Sequence, residues 1–188
     1  MKKGCQKLFS TVKGSSGFTL IEMLIVIIIL GILAMVIIPQ ISVSTDDAKV
    51  STLKTNLTGI RSAIEIYYAQ HNMTYPGVKG DGTNAANSYL AFKNQLTQYT
   101  DVDGNIAGVK DSTHIFGPYI KGGDLPANPF TTDTTKSTLV AIDSTKTNVT
   151  TTRVSPDSNV NGWAYWPVVG IFFANDGGST NSVTHMSY

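Results

Sequence analysis

The stretch Gly17-Phe18-Thr19-Leu20-Ile21-Glu22 is followed by an unbroken apolar run over residues 23–38. Counted over residues 18–41, the segment is long enough to cross a hydrocarbon layer of about 30 Å as a helix. One acidic residue, Glu22, lies near its start. An ionisable group at the edge of a membrane span is costly when it is unpaired, so it marks a functional position. The segment therefore predicts a transmembrane helix with Glu22 as a site residue.

Residues 1–17 form a basic leader with four lysines and no acid, and the rest of the 188-residue chain has ten basic and thirteen acidic residues. Positive charge before a first span keeps that end in the cytoplasm and sends the C-terminal part across the membrane. The remaining net charge of −3 offers no electrostatic footprint for nucleic acid, so no such partner is predicted. Cys5, the only cysteine, lies in the leader, so no disulfide is expected in the exported part.

The same N-terminal residues resemble the start of a type IV prepilin. The stretch from Gly17 to Glu22 matches the processing motif of that family at every position, and Gly31 and Pro39 fall where its first helix usually carries Gly and Pro. The resemblance implies that a prepilin peptidase cleaves between Gly17 and Phe18 on the cytoplasmic side and that the new amine of Phe18 is methylated. It also implies an inner-membrane assembly platform that builds the mature chain into a helical filament.

Phe18 and Glu22 are predicted to act in assembly. They are four residues apart and therefore lie on one face of a helix. In a membrane or a dry filament core an unpaired carboxylate is costly, and an amine is the obvious partner. An incoming subunit can present the amine of its processed Phe18 to Glu22 of a neighbour, which would set the axial register. The alternative is that Glu22 only reaches the lipid headgroups.

An amphipathic pattern follows the apolar run and covers residues 42–72. Apolar side chains recur at spacings of three and four, as expected for one buried helix face, at Val50, Leu53, Leu57, Ile60, Ile64 and Tyr67. Together with residues 18–41, this pattern predicts one long helix from about Phe18 to about His71. Pro39 has no amide hydrogen to donate, so we expect a kink or a local break in the helix there.

Residues 73–188 predict an exported globular head. Helical spacing predicts a second helix over about 84–99, with Thr83 or Asn84 as its cap. The Thr-rich stretch 131–155 predicts one or two exposed strands, and residues 162–173 predict an aromatic hairpin that packs on the long helix. The predicted fold class is α+β and type IV pilin-like, with a long N-terminal helix, membrane-spanning in its first half, packed against a small C-terminal antiparallel β-sheet.

Three stretches of the head resemble the major pseudopilin of type II secretion and its relatives, namely Tyr75-Pro76, Leu125-Pro126-Ala127-Asn128-Pro129-Phe130 and Gly162-Trp163-Ala164-Tyr165. In that group a bound calcium often replaces a disulfide near the C-terminus. The resemblance therefore implies calcium near Asp176, whose carboxylate could supply an oxygen ligand. One acid does not define a site, so a plain Asp-Gly turn is the alternative, and no other cofactor is predicted.

No arrangement of residues predicts catalysis or a further metal site. His71, His114 and His185 lack acidic or cysteine partners at metal spacing and are interpreted as surface or loop residues. Asp101-Val102-Asp103-Gly104-Asn105 has its glycine too early for an EF-hand loop and is interpreted as a solvated turn. Neither a nucleophile with its base nor a Gly-rich phosphate loop is recognisable. The chain is therefore predicted not to be an enzyme.

The predicted function is that of a filament subunit with a leader (1–17), a membrane and filament-core segment (18–41), an amphipathic segment (42–72) and a head (73–188). It is expected as a single-pass protein of the bacterial inner membrane and then in a periplasmic or cell-surface filament, with itself and related subunits as partners. The missing cysteines favour a type II secretion pseudopilus, whereas the Thr-rich stretch favours an exposed pilus. The alternative is a membrane-anchored or secreted binding protein or enzyme, for which Ser42-Val43-Ser44 offers a signal-peptidase site.

Overall fold

The structure is a computed structural model that describes residues 17–148, 161–180 and 182–188, with the side chains of residues 36–44 left out. It divides into two compact units, Met1–Val43 and Ser44–Tyr188. The predicted leader lies outside the described residues except for Gly17. The architecture is α+β, as the sequence predicted, with a long and a short α-helix, small β-sheets and a C-terminal 3-10 helix.

The first helix, α1, extends over Leu20–Gln70 and contributes residues to both units. In the second unit the predicted amphipathic face is buried, with Val50 half-buried and the other five positions fully buried. The helix ends before Asn72 and Met73, whose φ angles of 52° and 56° are left-handed and cannot continue a right-handed helix. The prediction of one buried helical face between residues 50 and 67 is confirmed.

The first unit contains residues 20–35 of α1, which are all exposed. Within the part of the chain that the structure describes, no helix is both long enough and apolar enough to cross a membrane. The predicted span over 18–41 and the predicted kink at Pro39 involve residues 36–44, whose side chains lie outside the described set. The span and the kink therefore stay predictions.

The second helix, α2, is shorter than predicted and has a different cap. It extends over Tyr89–Thr97, and the Ser88 hydroxyl accepts a hydrogen bond from the Ala91 amide at 3.2 Å. The prediction of a cap at Thr83 or Asn84 was wrong. The carboxylate of Asp81 accepts hydrogen bonds from both of those amides, which holds residues 81–84 in a turn and delays the helix.

The main sheet has three strands, β3 (Val140–Ile142), β4 (Trp163–Trp166) and β5 (Ile171–Ala174), in the order β3-β4-β5. The predicted hairpin is confirmed, because β4 and β5 pair antiparallel. The pair β3–β4 is parallel, so the predicted antiparallel pairing holds for β4–β5 and is wrong for β3–β4. Twenty or so residues separate those two strands, and a connection of this length permits the crossover that parallel strands require.

Strand β3 also corrects the prediction of exposed strands over 131–155, of which residues 149–155 lie outside the described set. Val140 and Ala141 are both buried, because one points to each face of the sheet. Two further hairpins are formed by β1 (Tyr99–Thr100) with β2 (Ile106–Ala107), and by β6 (Ser179–Thr180) with β7 (Val183–Thr184). A 3-10 helix, His185–Ser187, follows β7.

Two apolar clusters lie on the two faces of the main sheet. The larger cluster joins α1 and α2 to one face, and Trp163, Tyr165 and Phe172 are its largest sheet residues. The smaller cluster contains Ala164, Trp166 and Phe173 on the opposite face. The aromatic hairpin therefore packs on the amphipathic part of α1, as predicted, and it supplies the core on both of its faces.

Two of the three histidines are buried, which corrects their interpretation as surface or loop residues. His71 and His185 are each 2% exposed, whereas His114 is half-buried beside the exposed Asp111. Spacing did not reveal their partners: His71 contacts the Tyr67 ring and the Thr100 hydroxyl. His185 contacts the Phe130 ring, the Thr180 hydroxyl and the Asp176 carboxylate nine residues away. Spacing rules for metal sites do not detect such contacts.

Candidate functional site

The N-terminal site begins with residues 17–19, which have no regular secondary structure and precede α1. A side chain added at Gly17 would meet no atom within 4 Å. Among the described residues, the fold therefore gives no steric reason for a glycine at this position. Phe18 is exposed as well, so the predicted cleavage bond between Gly17 and Phe18 lies open in the structure.

Thr19 and Glu22 form a reciprocal cap at the start of α1. Oε2 of Glu22 accepts hydrogen bonds at 2.7 Å from both the amide and the hydroxyl of Thr19. In return, the Glu22 amide donates to the Thr19 hydroxyl at 3.3 Å. This arrangement is a capping box, which satisfies amides that have no partner within the helix. Glu22 therefore has a hydrogen-bond partner in its own chain.

Thr19 is a site residue that the sequence analysis missed. The signal for it was present, because a threonine followed three residues later by glutamate, just before an apolar run, is the sequence pattern of a capping box. Within the described chain, Glu22 contacts Thr19 rather than Phe18. Both bonds from Thr19 end on Oε2, which leaves Oε1 outside the capping box. A second donor can therefore approach the same carboxylate without breaking the cap.

The helix surface that follows the cap is apolar and open. Each large apolar side chain between residues 18 and 35 is between 45% and 91% exposed. Soluble monomers rarely expose contiguous apolar patches beyond a few hundred Å2. Gly31, like Gly17, has no atom within 4 Å of an added Cβ. The segment between residues 18 and 35 therefore presents an open apolar surface in the described structure.

The predicted calcium ligand, Asp176, lies at the other end of the chain in a buried polar cluster. Its Oδ2 lies 2.5 Å from Nδ1 of His185, and its Oδ1 accepts a hydrogen bond from the Asn128 amide group at 3.3 Å. The side chains of His185 and Asp176 are only 2% and 3% exposed. Nε2 of His185 in turn lies 2.9 Å from the Thr180 hydroxyl. His185, nine residues away, was not identified from the sequence as the partner of Asp176.

These side chains do not match calcium as they are arranged. Calcium prefers six to eight oxygen ligands, whereas the cluster offers one carboxylate whose Oδ2 faces an imidazole nitrogen. Across residues 17–148, 161–180 and 182–188, no group of three or more His, Cys, Asp or Glu side chains could hold a metal ion. Calcium near Asp176 stays a prediction, and main-chain oxygens would have to supply most of its ligands.

Comparison with known proteins supports the N-terminal site. Residues 12–38 match the family described as "Prokaryotic N-terminal methylation motif". The type II secretion system core protein G of Pseudomonas aeruginosa is 42% identical over 64 residues, which cover 34% of this chain and 44% of that protein. A fimbrial protein of Neisseria meningitidis is 33% identical over 109 residues, which cover 58% of this chain and 62% of that protein.

A type IV major pilin of Neisseria gonorrhoeae is 39% identical over 79 residues, which cover 39% of this chain and 48% of that protein. The chain therefore spans about half the length of the relatives that it matches. No solved structure gives a significant match. The N-terminal segment is thus that of the type IV prepilin and pseudopilin family, which confirms the resemblance seen in the Gly17–Glu22 motif.

Proposed function

We propose that the chain is a structural subunit of a type IV pilus-like or type II secretion pseudopilus filament. The observation that carries the proposal is the open apolar surface of residues 20–35, which begins at the Thr19–Glu22 capping box. The matched relatives are structural proteins of pili and of type II secretion, which supports a structural role over an enzymatic one.

The apolar helix explains how such a subunit can be stored and then assembled. In the inner membrane its surface contacts lipid, and in a filament the same surface contacts the helices of other subunits. Extraction exchanges one apolar environment for another, so it avoids the large cost of exposing this surface to water. We therefore infer a single-pass protein of the bacterial inner membrane, with the N-terminus cytoplasmic and the head outside, that enters a periplasmic or surface filament.

Processing is proposed to occur at Gly17. The open space around this glycine fits a prepilin peptidase, because a residue without a Cβ lets the enzyme approach the main chain closely. Cleavage there turns Phe18 into the first residue and places its methylated amine next to the Thr19–Glu22 cap. An inner-membrane assembly platform is the partner expected to move the processed chain into the filament.

Glu22 is proposed to bind the amine of a neighbouring subunit's Phe18. The capping box holds the carboxylate in place through Oε2, so its second oxygen can receive the amine without the cost of ordering a free side chain. Pairing of the two charges away from water sets the axial register, because an unpaired carboxylate among apolar helices is strongly unfavourable. This pairing supplies the specificity that apolar contacts between helices lack.

The function is tested by the mature N-terminus and by filaments. Mass spectrometry of the purified chain should find a first residue Phe18 with one extra methyl group, and electron microscopy of sheared cell fractions should show filaments that a deletion strain lacks. Secretion of exoproteins without surface filaments would identify a pseudopilus, and surface filaments would identify a pilus. A first residue near Thr45 would instead indicate a signal peptidase and a secreted binding protein or enzyme.

A further inference from the structure

Strand β5 forms one edge of the main sheet and is made of the four apolar residues of Ile171–Ala174. In an antiparallel pair, hydrogen-bonded positions alternate along each strand. The Asn175 amide donates to the carbonyl of Gly162, so the main-chain groups of Phe172 and Ala174 point away from β4. An apolar edge of this kind is a template for pairing with a strand of another chain.

The edge of β5 is covered by the C-terminal end of the same chain. Nε of Arg61, from α1, donates to the carbonyl of Phe172 at 3.0 Å, and Nη1 of Arg61 donates to the main-chain oxygen of Tyr188 at 2.8 Å. Met186 packs against the smaller apolar cluster, and Tyr188 packs against the larger one. The residues that follow β7 therefore pack beside β5, and their side chains contact both faces of the main sheet.

A buried contact between the Asp176 carboxylate and the His185 imidazole holds this C-terminal segment in place. His185 starts the 3-10 helix, and its side chain contacts Asp176, which lies two residues after the end of β5. The ring of Phe130 lies against His185 with centroids 3.9 Å apart, and the Asn128 side chain donates to Asp176. A Cβ at Gly178 would lie 2.6 Å from Oδ2 of Asp176, so the turn between the two partners tolerates only glycine there.

We propose that Asp176 and His185 form an edge lock, which keeps residues 182–188 on β5 and prevents that edge from pairing with the same edge of a second copy. The only cysteine of the chain is Cys5, so no disulfide can close this region. Removing one partner of this buried pair leaves a polar group of the other without a hydrogen-bond partner, which is strongly unfavourable, and this gives the lock its strength. The inference does not depend on the proposed function, because an apolar edge threatens any protein present at high local concentration.

The experiment compares full-length chains in detergent by hydrogen–deuterium exchange. Asp176→Asn and His185→Gln break the lock, and the matched controls Asp111→Asn and His114→Gln alter the exposed Asp111–His114 pair. We expect the lock variants to exchange at least about tenfold faster than wild type over both 171–175 and 182–188, because opening of a local unit exposes its amides. The control variants should exchange like wild type over both stretches.

A lock variant that deprotects residues 182–188 but leaves 171–175 as in wild type would overturn the inference, as would unchanged exchange over both stretches. Should Asp176→Asn and His185→Gln lose protection over the whole head, Thr180→Val decides, because it removes only the hydroxyl beside Nε2 of His185. Faster exchange of Thr180→Val confined to the two stretches supports the lock, and exchange like wild type overturns it.

Association through the freed edge is measured by light scattering of the same variants combined with Glu22→Ala. That substitution removes the proposed pairing of the N-terminal helices, so a failure of the filament proposal does not affect the result. Concentration-dependent dimers of the lock variants, absent from Glu22→Ala alone, support edge pairing. Lock variants that expose 171–175 but stay monomeric overturn the claim that a second copy is the partner excluded by the lock.

Discussion

The imidazole of His71 stacks flat on the ring of Tyr67, with ring centroids 3.7 Å apart and planes 3° from parallel. Nδ1 of His71 lies 2.8 Å from the carbonyl oxygen of Tyr67, and Nε2 lies 3.0 Å from the hydroxyl of Thr100. The stack therefore ties the end of α1 to β1. Burial lowers the pKa of His71, although hydrogen bonds to main-chain groups of Tyr67 and Asp101 oppose that shift.

The lowered pKa predicts a head that loses stability in mild acid. The folded state binds a proton on His71 less well than the unfolded chain does. The stability that neutral His71 contributes is therefore fully present above the unfolded pKa of about 6.5. This stabilisation falls as the pH decreases from there towards the folded pKa, by at most about 1.4 kcal/mol per pH unit. Thermal unfolding of the full-length chain in detergent, followed between about pH 7.5 and pH 5, measures the loss.

His71→Gln should flatten this pH dependence even if it lowers the melting temperature throughout, because the titrating group is gone. His114→Gln is the matched control, since His114 is more exposed and pairs with an exposed carboxylate. It should leave the slope unchanged. A His71→Gln variant with the slope of wild type would show that another buried group causes the acid sensitivity.

Substitutions at Glu22 should separate its two roles. Glu22→Gln keeps an oxygen that can accept from Thr19, because glutamine also completes a capping box, but it removes the charge that would bind an amine. We therefore expect Glu22→Gln and Glu22→Ala both to accumulate as processed chains in membranes without entering sheared filament fractions. Glu22→Asp, which keeps the charge on a shorter side chain, should assemble in part.

The capping role alone is tested at Thr19. Thr19→Ala should lower helix stability by about 1 kcal/mol and reduce filament yield, whereas Thr19→Ser should retain both. Immunoblots of membrane and sheared fractions provide the measurement.

Filament yield of Glu22→Gln equal to wild type would contradict charge pairing and leave the cap as the only role of Glu22.

Gly17→Val should block processing without disturbing the fold. The new side chain meets no atom of the described residues within 4 Å of its Cβ, so we expect it to hinder the peptidase rather than the fold. The uncleaved protein, still with its leader, should migrate more slowly on immunoblots and form no filaments. Gly31→Val is the control, because Gly31 is equally open but lies away from the cleavage bond, and it should be cleaved normally.

Calcium near Asp176 can be tested through the melting temperature of the head. An ion bound to Oδ2 would compete with His185 for the same oxygen but would stabilise the native state by mass action. The resemblance to pseudopilins predicts that calcium raises the melting temperature of wild type and that a chelator reverses the rise. Asp176→Asn should not respond to either. Equal melting temperatures of wild type with calcium and with chelator would contradict a calcium site at Asp176.

Local patterns predicted much of the fold. The helical face between residues 50 and 67 follows from spacing of three and four, and the hairpin of β4 and β5 follows from two aromatic runs around a turn. The cap of α2 could not be found in this way. Thr83 and Asn84 are residue types that favour helix caps, but their amides donate hydrogen bonds to the Asp81 carboxylate in a turn. Whether the turn or the helix forms depends on where the chain places that carboxylate.

The sequence by itself determined the N-terminal site, because Gly17, Thr19 and Glu22 lie within six residues and act through helix-start geometry that depends only on spacing. Only the tertiary structure decided that β3 runs parallel to β4 and that Asp176 and His185 lie buried together. The physical reason is that burial and strand direction are set by distant parts of the chain. A carboxylate and an imidazole form a buried pair only where Phe130, Asn128 and the edge of the sheet exclude water around them.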